Sequence, residues 1–394
     1  MIEGTWAAGF EPVRAAFQEN FAERGETGGA LCVLRGGQVV ADLWGGLAGP
    51  AAPWRPDTLV NFFSVGKGLM ALLAARLAGD GRLETDAPVT RYWPRFGAAG
   101  KENITVRQLL THQAALPAIR DPLPPAAMLD WRVMTAALAG HAPWWEPGTA
   151  HGYHVNTFGF LVGEVLRRAS GRSVGELLRA EVAGPLRADV HIGLPAAEHA
   201  RVAEFDWPWP GLPGLPGLPG LPGLPGRRPA GGDPAEFGDA QLMEHNAYFN
   251  PVGLSGAGVV NSAEWRQAEL PSTNGHGTAR GIARVYGALA AGGTADGVLV
   301  VDPGALAEAT TEQVYGPDRI LHRPSRFGLG FQLTQAERPM GPNAGAFGHF
   351  GAGGSLGFCD PQAQVAFGYV TGQMGPRWQN PRNRALIDAL YACL

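Results

Sequence analysis

The chain has 394 residues, 45% hydrophobic and 17% charged, with a formal net charge of −4. That balance supports a sizeable buried core and excludes a disordered chain. The mildly acidic charge, without a basic stripe, excludes a nucleic-acid partner.

In chain order, Met1-Ile2-Glu3-Gly4-Thr5-Trp6 has neither the basic nor the apolar region of a signal peptide. Glu11 to Glu23 predicts a helix, because Val13, Ala16, Phe17 and Phe21 fall on one face. Leu31 to Leu34 and Val39 to Trp44 predict a β-hairpin, with Gly36-Gly37 supplying the turn. Asn61 to Ala78 predicts a long apolar helix closed by Gly79-Asp80-Gly81. Thr105 to His112 predicts a short amphipathic helix. Asn156 to Ser170 predicts a mostly buried one, with Gly171 as its C-cap.

Five Gly-Leu-Pro triplets begin at Gly211 and end before Gly226. Proline at every third place forbids a helix, so the stretch reads as an exposed, extended surface insertion. Thr278 to Gly292 predicts a helix. Strands are expected at Phe347 to Phe350, Ser355 to Asp360 and Gln364 to Thr371, and a closing helix at Asn383 to Leu394. The sum is an α+β protein with an antiparallel sheet built from both chain ends and flanked by helices, plus a mostly helical subdomain. It reads as one catalytic unit over 1–394. The α/β part covers about 1–75 and 275–394. The helical part covers about 76–274 and carries the Gly-Leu-Pro loop 211–226.

No apolar run reaches the roughly 18 residues of a membrane helix, so no membrane partner is expected. Cys32, Cys359 and Cys393 are too few and too scattered for a disulfide framework or a zinc site, and a reducing cytoplasm is the expected setting. No His/Asp/Glu cluster has metal-ligand spacing, so neither metal nor cofactor is expected. Nothing in the sequence fixes an oligomeric state.

Chemistry concentrates in three places. The first is Ser64-Val65-Gly66-Lys67. Serine and lysine one helical turn apart share a face, and a shielded lysine can act as the base that makes serine nucleophilic. The chain holds two lysines and eight serines, so about 0.04 such pairs are expected by chance. Ser64 also sits where the apolar helix starts, and free N–H groups there favour an oxyanion. The second place is Tyr153, within Pro147-Gly148-Thr149 to Asn156; a tyrosine beside a cation can serve as a general base. The third is His349-Phe350-Gly351, in a run of small residues that lets a strand approach a ligand. One competing signal is rejected. Gly353-Gly354-Ser355-Leu356-Gly357 matches the nucleophile elbow of α/β-hydrolases, but no histidine follows to serve Ser355.

These boxes, with Leu109-Leu110-Thr111-His112-Gln113 between the first and second, resemble the serine β-lactamase-like superfamily. The block Pro271 to Arg280 is similar to one in its class C and family VIII carboxylesterase branch. The resemblance spans about residues 10 to 390. It implies Ser64 as nucleophile, Lys67 as proton acceptor or relay, and Tyr153 as general base. It implies an oxyanion hole from the N–H groups of Ser64 and Ala352, with His349 and Gly351 at the substrate edge. The tyrosine box departs from the usual Tyr-x-Asn, so His154 or Asn156 could partner Tyr153 or meet the substrate. Histidine replaces lysine in the third box. That removes a fixed charge for a carboxylate and favours neutral esters. The expected partner is therefore a small acyl ester. The alternatives are an acyltransferase or thioesterase with the same nucleophile and, less favoured, a β-lactamase or D-amino-acid peptidase.

Overall fold

The computed structural model describes residues 2–207, 234–375 and 378–394, so the Gly-Leu-Pro loop 211–226 lies outside the described residues. Its frame is one antiparallel sheet. In spatial order the strands are Ile2–Trp6, Gln38–Gly49, Gly28–Arg35, Val365–Thr371, Leu356–Asp360, Phe347–Phe350, Gln332–Leu333, Pro324–Phe327 and Val314–Pro317. Ala52–Pro53 pairs with Gln38–Gly49 beside this path. Strands from the start and end of the chain meet at its centre, where Gly28–Arg35 pairs with Val365–Thr371.

The alternation of side chains explains why both faces are covered. Along Gly28–Arg35, Ala30, Cys32 and Leu34 point into one core and Leu31 and Val33 into the other. Ala279–Ala290 packs on the first face. The terminal helices Glu11–Glu23 and Pro381–Tyr391 pack together on the second. Each large apolar side chain buried this way contributes about 1.5–3 kcal/mol. Among the described residues, no helix is long and apolar enough to cross a membrane.

Three helices differ at their boundaries from the sequence reading, and the first two differences bear on the site. The long apolar helix starts at Val65, not Asn61, and ends at Gly79. Val60 and Asn61 form a strand instead, paired with Gly277 and His276. Phe63 then takes a positive φ of 51°, which no helix continues through. The short helix spans only Val106–Leu110, because His112 is also left-handed, at φ 59°. The closing helix begins at Pro381, two residues earlier than expected.

Candidate active site

The left-handed turn at Phe63 places Ser64 as the residue that opens helix Val65–Gly79. Twelve of that helix's fifteen residues are buried, so its start is held rigidly. Among the described residues, no hydrogen bond uses the Ser64 N–H. Lys67 follows one turn later and is fully buried, with Nζ 3.0 Å from Ser64 Oγ. Nζ also donates to the carbonyl oxygens of Val155 at 2.7 Å and Ser272 at 3.2 Å. Burial alone holds the Lys67 amine well below its usual range.

The partner set decides what this amine can do. Carbonyls only accept, whereas a hydroxyl also donates. A neutral amine fills both carbonyls with its two N–H groups and turns its lone pair to the Ser64 proton.

Tyr153 is fully buried beside this pair, with Lys67 Nζ 4.8 Å from its ring centre. Its phenol oxygen has no hydrogen-bond partner of good geometry. Burial pushes the phenol well above its usual range, and the neighbouring Ser64 hydroxyl pulls it part of the way back. The rings around it are Trp378 at 4.9 Å, His112 at 5.0 Å and His349 at 6.1 Å.

Neither suggested partner meets the phenol. The His154 ring spends both nitrogens on the backbone: Nε2 accepts from Leu116 N–H and Nδ1 donates to the Gly152 carbonyl. That leaves His154 nothing to offer a substrate, and it belongs to the framework of the wall. Asn156 donates through Nδ2 to the Ala247 carbonyl and to Ser255 Oγ, at 2.7 and 3.0 Å. It ties the start of helix Thr157–Ser170 to helix Asp239–Phe249, and only its Oδ1 remains unpartnered.

The third wall is strand Phe347–Phe350. His349 is fully buried, and burial, with Lys67 nearby, keeps its ring neutral. Nδ1 lies 2.7 Å from the Phe350 carbonyl, so it carries the proton, and the unpartnered Nε2 presents a lone pair. Gly351 runs so close to the segment before Ser64 that a Cβ would stand 2.3 Å from the Phe62 carbonyl oxygen. Among the described residues, no hydrogen bond uses the N–H of Ala352, the next residue.

The turn beyond it is clamped by residues that sequence reasoning missed. The Gly353 carbonyl accepts from Asn380 Nδ2 at 3.0 Å and Arg382 Nη2 at 2.9 Å, and the Gly354 carbonyl from Asn383 Nδ2 at 2.9 Å. Gly354 adopts φ 115°, and a Cβ there would meet Asn380 Nδ2 at 2.3 Å. Arg382 is paired in turn with buried Glu26 at 3.3 Å. Glu26 also accepts from Thr371 Oγ1 at 2.7 Å and from the Tyr369 hydroxyl. Ser355 is fully buried, its hydroxyl accepts a long bond from Thr371 N–H at 3.4 Å, and no side-chain base among the described residues is bonded to it.

The family model that matches is the beta-lactamase model, over residues 13–392. The esterase/beta-lactamase LipL of Mycobacterium tuberculosis (strain ATCC 25618 / H37Rv) is 37% identical over 367 residues, which covers 92% of this chain and 80% of the relative. A crystal structure of a family VIII carboxylesterase superposes with a TM-score of 0.88 at 39% identity, over the whole of both chains. A penicillin-binding protein homologue from Caulobacter crescentus gives the same TM-score, identity and coverage.

Proposed function

This chain belongs to the beta-lactamase family, and on that premise we propose that it hydrolyses carboxylic esters through an acyl-enzyme on Ser64. The observation that carries the reading is the 3.0 Å contact between Ser64 Oγ and a buried Lys67 amine that, among the described residues, pairs with no carboxylate.

The steps follow from the partners. Lys67 takes the Ser64 proton as Oγ attacks the ester carbonyl. The oxyanion is received by the N–H groups of Ser64 and Ala352, at a helix start and a clamped turn. Tyr153, protonated at rest, passes its proton to the departing alkoxide and is refilled from Lys67. The two side chains therefore titrate as one coupled pair. In deacylation the pair takes a proton from water, which attacks the acyl carbonyl, and returns it to Ser64.

His349 shapes the choice of substrate. Its neutral ring offers an acceptor where a lysine would offer a cation, and an acceptor repels a carboxylate. Neutral esters are therefore favoured over carboxylate-bearing lactams. Turnover of p-nitrophenyl acetate and butyrate, with Ser64→Ala as control, tests the proposal. Loss of turnover in the variant is expected, and an unchanged rate rejects Ser64 as nucleophile.

A further inference from the structure

The peptide that carries Tyr153 is held by a carboxylate from a loop 165 positions later. Asp318 Oδ1 accepts the N–H of Tyr153 at 3.0 Å, together with those of Ile320 and Leu321 at 2.9 Å each. Its Oδ2 accepts from Ser325 Oγ at 2.8 Å, and Ser325 Oγ lies 2.9 Å from His151 Nε2. All three side chains are buried.

Serine, histidine and aspartate meet here, but their order is not that of a nucleophile. An ionised carboxylate only accepts, so the one Ser325 proton goes to Asp318. His151 must then donate to Ser325 through Nε2–H. No base is left to take the serine proton. The chain of bonds runs inward to the acid, and from the acid to the Tyr153 peptide.

We infer that Asp318 is a positioning residue for Tyr153, fixing the peptide that presents the phenol to Ser64 and Lys67. The inference rests on the reading of Tyr153 as part of the ester-cleaving site. A buried anion is costly unless its bonds are used, and here three of its four partners are backbone N–H groups. The carboxylate also adds a negative potential at the phenol. Tyr153 is faced by Ser64 and Lys67 from the nucleophile helix and by His112 and His349 from two walls. Tyr248, Asp318 and Arg323 complete the set. Tyr248 and Asp318 oppose loss of the phenol proton, whereas Ser64 and Arg323 favour it.

The test is the pH dependence of kcat for p-nitrophenyl acetate in Asp318→Asn, Ser325→Ala and Tyr153→Phe, with thermal unfolding measured alongside. In Asp318→Asn, a tenth-ångström to one-ångström drift of the phenol is expected to lower kcat by about tenfold, with KM nearly unchanged. Removing the negative charge also moves the acid limb to lower pH. Ser325→Ala keeps the Asp318 bond to the Tyr153 peptide but takes a proton donor from the carboxylate, so its acid limb moves to higher pH. A role in stability alone would lower the melting temperature and move neither limb. Folded Asp318→Asn with wild-type kcat and pH profile overturns the inference. If that variant does not fold, Ser325→Ala decides by its shift or its lack of one. Tyr153→Phe separates the two ideas. Retained activity there sinks the reading of the site itself. An inactive Tyr153→Phe beside wild-type profiles in the other two sinks only the role of Asp318.

Discussion

The two lysines of the chain are both buried, yet the structure gives them opposite chemistry. Lys101 donates to three carbonyls, those of Ala98 at 2.7 Å, Ala139 at 3.0 Å and His141. Three fixed acceptors require three N–H groups, so this amine stays charged and pins the end of helix Trp131–Gly140 to the loop before Val106–Leu110. Burial still lowers it to about 8, with Glu102 opposing. Lys67 has two carbonyls and one hydroxyl, so one of its three contacts can reverse direction. Burial makes a lysine easy to deprotonate, but the partner that can give a proton makes it a base.

Substitutions sharpen that contrast. Lys67→Met should reduce turnover of p-nitrophenyl butyrate by about 10³-fold or more, the scale of losing a general base. Its stability at neutral pH should change little: relief of the burial penalty, present below pH 10.5, offsets the Val155 and Ser272 carbonyls left without a donor. The sign follows from the depressed pKa: folding Lys67 costs least where the unfolded chain has also lost the proton, and most where both would prefer to keep it. A large drop in melting temperature at neutral pH would make Lys67 structural instead. Arg382→Leu should cost about 3–5 kcal/mol in denaturant unfolding, because Glu26 is left charged and unpaired in the core. A loss below about 1 kcal/mol would mean that the pair does not hold the turn. Lys101→Met should cost about 2–4 kcal/mol through three deserted carbonyls, with kcat preserved per folded molecule. Activity lost in proportion to Lys67→Met would erase the distinction between the two lysines. The mildest effect is on pH. With burial holding the Lys67 amine well below its usual range, kcat/KM should reach its plateau well below pH 10.5 rather than in strong alkali.

The residues proposed for the chemistry could be picked out because each lies in a short local pattern. Ser64 and Lys67 are one helical turn apart, and His349 sits in a short run of small residues that marks a close approach. Alternation and helical periodicity likewise placed five strands of the sheet and six helices to within a few residues at most ends, whereas Ile2–Trp6, Val314–Pro317, Pro324–Phe327 and Gln332–Leu333 went unread. The residues that hold the chemistry in place were not legible. Glu26 meets Arg382 across 356 positions, and Asp318 meets the Tyr153 peptide across 165. Neither contact leaves a spacing to read, because a buried ion or backbone bond needs only one partner somewhere in the fold. The same limit explains His154 and Asn156. Their types suggested a role at the substrate, but both His154 nitrogens and the Asn156 Nδ2 are taken up by Leu116, Gly152, Ala247 and Ser255, which leaves only the Asn156 Oδ1 open. The helix start at Val65 was masked by Val60 and Asn61, apolar and polar neighbours that a distant strand claims.

In the proposed mechanism the Lys67 amine, held well below its usual range by burial, takes the Ser64 proton. The most direct measurement is the rate at which a fluorophosphonate adds to the intact protein, followed by mass spectrometry across pH, for the native chain and Lys67→Arg. A single adduct on Ser64 is expected, formed at a rate already level well below pH 10.5, with almost none in the arginine variant. An adduct on another residue, or equal labelling in Lys67→Arg, would contradict it.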